Sequence, residues 1–187
     1  MVDLVAIGTS WGGLEALRTV LGALPAGFAA ATVVAQHRSG SDALLGELLR
    51  RVCALPVNEA EDKAPLRGGE VLLAPPDYHL LVEGDGVALS VDPPVAFSRP
   101  SIDVLFESAA VARGARAAGV VLTGANDDGA AGLAAIRRRG GIAIVQDPDG
   151  AERSEMPAAA LAACPDALVL PLERIGPRLA SICGVRR

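Results

Sequence analysis

Five short, almost wholly apolar runs recur along this 187-residue chain, separated by stretches of helical length. They are Leu4–Gly8, Thr32–Gln36, Gly119–Gly124, Gly141–Gln146 and Ala167–Leu172. None alternates apolar with polar residues. A strand with one face in water must alternate, so these runs predict strands covered on both faces, the pattern of a parallel sheet between helical layers. The intervening segments fit that reading. Leu14, Leu17, Val20, Leu21 and Leu24 keep helical spacing from about Gly12 to Pro25, and Leu44, Leu45, Leu48, Leu49 and Val52 do so from about Asp42 to Cys53. A third helix follows Ser101, whose hydroxyl suits a cap, and a fourth ends at Arg137–Arg139 before Gly140, where cations oppose the helix dipole. Residues 56–100 differ. They are rich in proline and glycine turns, with short strands in "VLLAP", "YHLLVEG" and "VALSVD". We read an antiparallel β-hairpin insertion at about residues 70–92 on a doubly wound, mostly parallel α/β domain.

Composition narrows the function classes. Hydrophobic residues make up 51% and charged residues 21%, enough apolar material for a core and too much for a disordered chain. The net charge of −5 argues against general nucleic-acid binding. No run of about eighteen uncharged apolar residues exists to enter a membrane, and the start "MVDLVAIGTS" lacks the basic segment of a secretion signal. Cys53, Cys164 and Cys183 are odd in number and far apart, which predicts reduced thiols and a cytoplasmic location.

Three polar residues share one topological address. Ser10, His37 and Asp128 each lie just beyond a predicted strand, where parallel sheets bind ligands. A serine hydroxyl needs a base to become nucleophilic, histidine is such a base near neutrality, and a carboxylate fixes its tautomer. Ser10 sits in "GTSWG", a G-x-S-x-G turn whose glycines allow a tight strand-to-helix corner with free N–H groups. A phosphate-binding loop is the competing reading of that turn, but G-x-G-x-x-G is not matched and the only lysine is Lys63. His79, between Tyr78 and Leu80, is read as structural or surface, and Asp127–Asp128 alone would pass for an ordinary acidic helix start. The order Ser, His, Asp with the serine on the first strand excludes the α/β-hydrolase arrangement.

The chain resembles the catalytic domain of the chemotaxis-receptor protein-glutamate methylesterases. Ordered blocks carry the resemblance: "VAIGTSWGGLEAL", "VVAQH", "NEAEDKAPLRGG", "LLAPPDYHLLV", "SRPSIDVLFESAA", "GVVLTGANDDGAAGL" and "MPAAAL". It implies Ser10 as nucleophile, His37 as base, Asp128 as its partner, the backbone amides of Trp11 and Ala125 as oxyanion donors, and Arg99 in substrate binding. It implies hydrolysis of glutamate γ-methyl esters on chemoreceptor helices, with glutamine deamidation by the same chemistry and no metal or cofactor. One catalytic domain over residues 1–187, without the receiver domain of the familiar architecture, is the expectation. Trp11, Ala125, Asn126, Ser154 and Glu155 depart from the usual family residues, Asn126 standing where glycine is common. Arg38, Arg99 and Arg116 are the arginines expected to attract an acidic receptor. An esterase or deamidase of the same fold with another substrate is the alternative, and an anion-binding module a further one. Oligomeric state is not specified.

Overall fold

The computed structural model describes residues 1–37 and 44–186. Fifteen elements follow in order: β1 (Leu4–Thr9), α1 (Gly13–Gly22), β2 (Ala31–Gln36), α2 (Leu44–Arg50), β3 (Val57–Glu59), β4 (Val71–Leu73), β5 (His79–Glu83), β6 (Gly86–Ser90), α3 (Ile102–Arg113), β7 (Ala117–Val121), α4 (Ala130–Arg138), β8 (Ile142–Gln146), α5 (Glu155–Ala163), β9 (Leu168–Leu170) and α6 (Leu172–Cys183). Seven strands form one parallel sheet in the order β3-β4-β2-β1-β7-β8-β9, and β5 and β6 form a separate antiparallel hairpin.

The lack of alternation in the strands has its predicted cause. In β1, Leu4 and Ala6 join a core beneath α3, α4, α5 and the hairpin, while Val5 and Ile7 join a core beneath α1, α2 and α6. All six β1 residues are buried. Ser101 caps α3 as expected, its hydroxyl accepting from Val104 N at 3.4 Å. The segment "VLLAP" differs from its expected place in the insertion. Its Val71–Leu73 pairs in parallel with β2, and the unforeseen β3 extends that edge. The hairpin proper therefore spans residues 79–90. Three-residue strands carry too little periodicity to show their orientation. The predicted start of the second helix, Asp42, lies outside the described residues, as does Arg38.

From β1 the chain winds outward through β2, whereas from β7 it winds the other way through β8. The crevice between the carboxyl ends of β1 and β7 is therefore the switch point of the sheet, the place where open α/β folds bind ligands.

Candidate active site

Ser10 leaves β1 at this crevice. Its N–H donates to Thr123 O at 3.0 Å, and its carbonyl accepts from Gly13 N at 2.9 Å, closing a tight corner into α1. Gly12 turns that corner with φ of +75°, a conformation glycine adopts without strain. A Cβ on Gly124 would approach Ser10 Cβ to 3.0 Å, so the glycine lets the β7 loop lie against the serine. Thr123 Oγ1 donates to Trp11 O at 2.9 Å and accepts from Arg153 N at 2.8 Å. Segment 151–155 is thereby tied to both loops, and the Arg153 guanidinium lies 5.9 Å over the Trp11 ring.

His37 leaves β2 with its N–H on Thr9 O at 3.0 Å. Its Nε2 lies 2.6 Å from Asp128 Oδ2. Asp128 is 1% exposed, and three further donors reach it: Ser101 Oγ at 2.9 Å, Ile102 N at 2.7 Å and Asp103 N at 2.9 Å. Two backbone N–H groups can only donate, so the carboxyl group must accept, and with four donors its lone-pair sites are filled. Burial raises the Asp128 pKa. The hydrogen bonds from His37, Asp103 and Ile102 outweigh that and hold it below the usual carboxylate range. His37 Nε2 is accordingly the protonated nitrogen. The ring is reversed relative to the common serine-protease template, in which Nδ1 faces the acid. Here Nδ1 is the nitrogen left for the cleft.

That cleft, of about 680 Å³, is lined by Ser10, Trp11, His37, Phe97, Ser98 and Arg99 among others. Sequence reasoning brought Ser10, His37 and Asp128 to one place, and the structure places them there, though no hydrogen bond joins Ser10 Oγ to His37 among the described residues. The Nδ1 neighbours are instead Ser98 Oγ at 3.5 Å and the Asn126 side-chain nitrogen at 3.4 Å. Neither Trp11 nor Ala125 spends its backbone N–H on an acceptor among the described residues. Arg99 lines the cleft, with Nη1 donating to Val91 O at 2.8 Å and Asp92 O at 3.0 Å. Arg116 pairs with Asp3 at 2.7 Å, at the amino ends of β1 and β7 and so away from the cleft, which removes it from the docking arginines.

His79 is buried. Its Nδ1 accepts from Ser101 N at 3.1 Å, and Nε2 faces Pro93 O at 3.1 Å, so it joins the α3 cap to the cleft wall. Sequence reasoning gave Ser101 as a helix cap but not as a donor to Asp128, and it missed Ser98 and Asp103. Only the Ser101 cap had a local signal. Among the described residues no group of three His, Cys, Asp or Glu could hold a metal ion, and no helix is long and apolar enough to cross a membrane.

A parallel α/β domain with an alcohol, an imidazole and a buried carboxylate at its switch point defines a site of the acyl-hydrolase type. Residues 5–179 match the family model described as CheB methylesterase, and the chain belongs to that family. It is 45% identical over 175 residues to a Leptospira interrogans protein assigned as a protein-glutamate methylesterase/protein-glutamine glutaminase, covering 92% of this chain and 91% of that protein. It is 41% identical over 182 residues to protein-glutamate methylesterase/protein-glutamine glutaminase 1 of Rhodospirillum rubrum, of which it spans 46%. The crystal structure of the Thermotoga maritima CheB methylesterase catalytic domain superimposes with a TM-score of 0.92 at 30% identity, over 97% of this chain and 99% of that one.

Proposed function

We propose that this chain is a protein-glutamate methylesterase that acts as a serine hydrolase through Ser10, His37 and Asp128, within a single catalytic domain spanning residues 1–187. The observation that carries the reading is the His37–Asp128 contact of 2.6 Å, which leaves Nδ1 facing a cleft shared with Ser10. Ser10 Oγ attacks the ester carbonyl and gives its proton to His37 Nδ1. The tetrahedral oxyanion takes hydrogen bonds from the N–H groups of Trp11 and Ala125, which have no competing acceptor among the described residues. Methanol leaves with the proton from Nδ1. Water, deprotonated at the same nitrogen, then releases the glutamate and restores Ser10. Glutamine follows the same path with ammonia as the leaving group. None of these steps calls on a metal or cofactor.

Methylated chemoreceptor helices are the proposed substrate. Trp11 is 64% exposed and Phe97 fully exposed, and both line the cleft. Large apolar side chains at a cleft mouth suit a macromolecular partner better than a small ester. Arg99 is assigned to the substrate cleft as the residue that holds the wall at Val91 and Asp92. The free cysteines at 53, 164 and 183 support a cytoplasmic location.

Methanol release from a methylated receptor fragment tests the reading. Wild type should release methanol, and Ser10→Ala should reduce it to background with the fold intact. Undiminished release by Ser10→Ala would remove the proposed nucleophile.

A further inference from the structure

We propose that Asn126 is a positioning residue that holds His37 in the tautomer able to take the Ser10 proton. The inference rests on the assignment of His37 as the base. Asn126 lies on the loop between β7 and α4, two residues before Asp128. Its Oδ1 accepts from Asp128 N at 3.3 Å. A backbone N–H can only donate, so this contact sets the carboxamide orientation and turns the NH₂ end toward His37 Nδ1, 3.4 Å away. An NH₂ group can only donate as well, so the Nδ1 it faces must carry the lone pair.

Asp128 selects the same tautomer from the other side of the ring by accepting from Nε2. The imidazole is thus bracketed by an acceptor at Nε2 and a donor at Nδ1. The 3.4 Å contact is long for a hydrogen bond, as contacts of a catalytic base are before substrate seats. Ser98 Oγ, at 3.5 Å, is the adaptable neighbour. The neutral Nδ1 offers one lone pair, so the Ser98 hydroxyl and the Asn126 NH₂ group are alternative donors to it. Once the proton has arrived, the Ser98 oxygen accepts from Nδ1, which the Asn126 NH₂ group cannot do. Asn126 therefore acts on the resting ring and must yield as the proton transfers.

The test uses ring ¹⁵N NMR and turnover of a small ester by the full chain. With only His37 and His79 present, the ring signals are few, and His37→Ala assigns them. In wild type, His37 should show a protonated Nε2 and an unprotonated, hydrogen-bonded Nδ1. Asn126→Ala should move the Nδ1 signal toward that of a free imidazole nitrogen. It should also lower kcat by about fivefold, the worth of one neutral hydrogen bond, with KM unchanged. Asn126→Asp has the same shape but places an acceptor at Nδ1. It should draw a proton there and cut kcat/KM by on the order of 100-fold near neutral pH, in the range of a lost general base. Should Asn126→Ala not fold, Asn126→Ser serves the same comparison, its side chain being too short to reach Nδ1. Unchanged His37 signals in Asn126→Ala, or wild-type turnover by Asn126→Asp, would overturn the proposal. The NMR arm does not depend on turnover, so an inactive wild type with the expected signals would count against the hydrolase reading alone.

Discussion

Asp103 and Asp128 each cap the helix that the other's segment begins. Asp128 accepts from Ile102 N and Asp103 N at the start of α3, and Asp103 Oδ1 accepts from Gly129 N at 3.0 Å and Gly132 N at 2.7 Å at the start of α4. The carboxylate that orients His37 is therefore part of the lock between two core helices. Asp103→Ala should destabilise the domain by about 1–2 kcal/mol, the usual worth of a helix cap, and lower kcat by loosening Asp128. Asp103→Asn keeps the accepting oxygen and should retain the stability. Urea unfolding of the two variants checks this, and equal losses would show that the charge, not the cap, matters.

The two carboxyls have opposite pH signatures. Burial raises the Asp103 pKa despite its bonds from Gly132 and Gly129, and the charge of Asp128 adds to the rise. The Asp128 pKa is lowered. As pH falls through the raised Asp103 value, its destabilising contribution disappears and stability rises. The stability from Asp128 is fully present above the unfolded carboxyl value of about 3.9 and is lost as pH falls through the depressed folded value. Urea midpoints measured from pH 2 to 7 should lose the first feature in Asp103→Asn and the second in Asp128→Asn. Asp128→Asn should also cut kcat by on the order of 10³–10⁴, as removal of a base-orienting carboxylate does.

Gly8 places the α3 terminus. A Cβ there would overlap the Ile102 side chain, and one on Gly129 would come within 2.6 Å of Ile102 Cγ2. Gly8→Ala should cost about 1–3 kcal/mol of stability by overpacking and reduce kcat, because Ile102 carries one of the donors to Asp128. Joint Gly8→Ala and Ile102→Ala substitution, which removes the overlapping Cγ2, should recover part of both relative to the sum of the two single changes. No recovery would mean that the glycine acts elsewhere.

The cleft mouth should separate substrates. Phe97→Ala should raise KM on a methylated receptor fragment by about tenfold, as loss of an aromatic contact at an interface does, and leave a small ester unaffected. Arg99→Glu should instead depress turnover of both, since its guanidinium holds the backbone at Val91 and Asp92. A loss confined to the receptor fragment would put Arg99 in direct contact with it.

The thiols should be silent in the folded chain. Burial, with the nearby Asp3 charge, pushes the Cys183 thiol up to about 12, and burial raises Cys53 and Cys164 as well. A disulfide exchange reagent at pH 8 should titrate none of the three in native protein and all three in urea. Rapid native labelling would show that one of these cores opens locally.

Patterns confined to a few neighbouring residues were readable from the chain alone. Unalternated runs such as Leu4–Gly8 require cover on both faces, and Ser101 marks a helix start within four residues. Ser10, His37 and Asp128 each follow a strand, which places them at one end of a parallel sheet. Tertiary structure alone decided what meets at that end. The His37–Asp128 bond joins residues 91 apart, and the cap between Asp103 and Gly132 spans 29. Local pattern records which face of a segment is buried but not which partner buries it. The reversed imidazole, the reciprocal helix caps and the parallel course of Val71–Leu73 therefore became visible only once distant segments had packed.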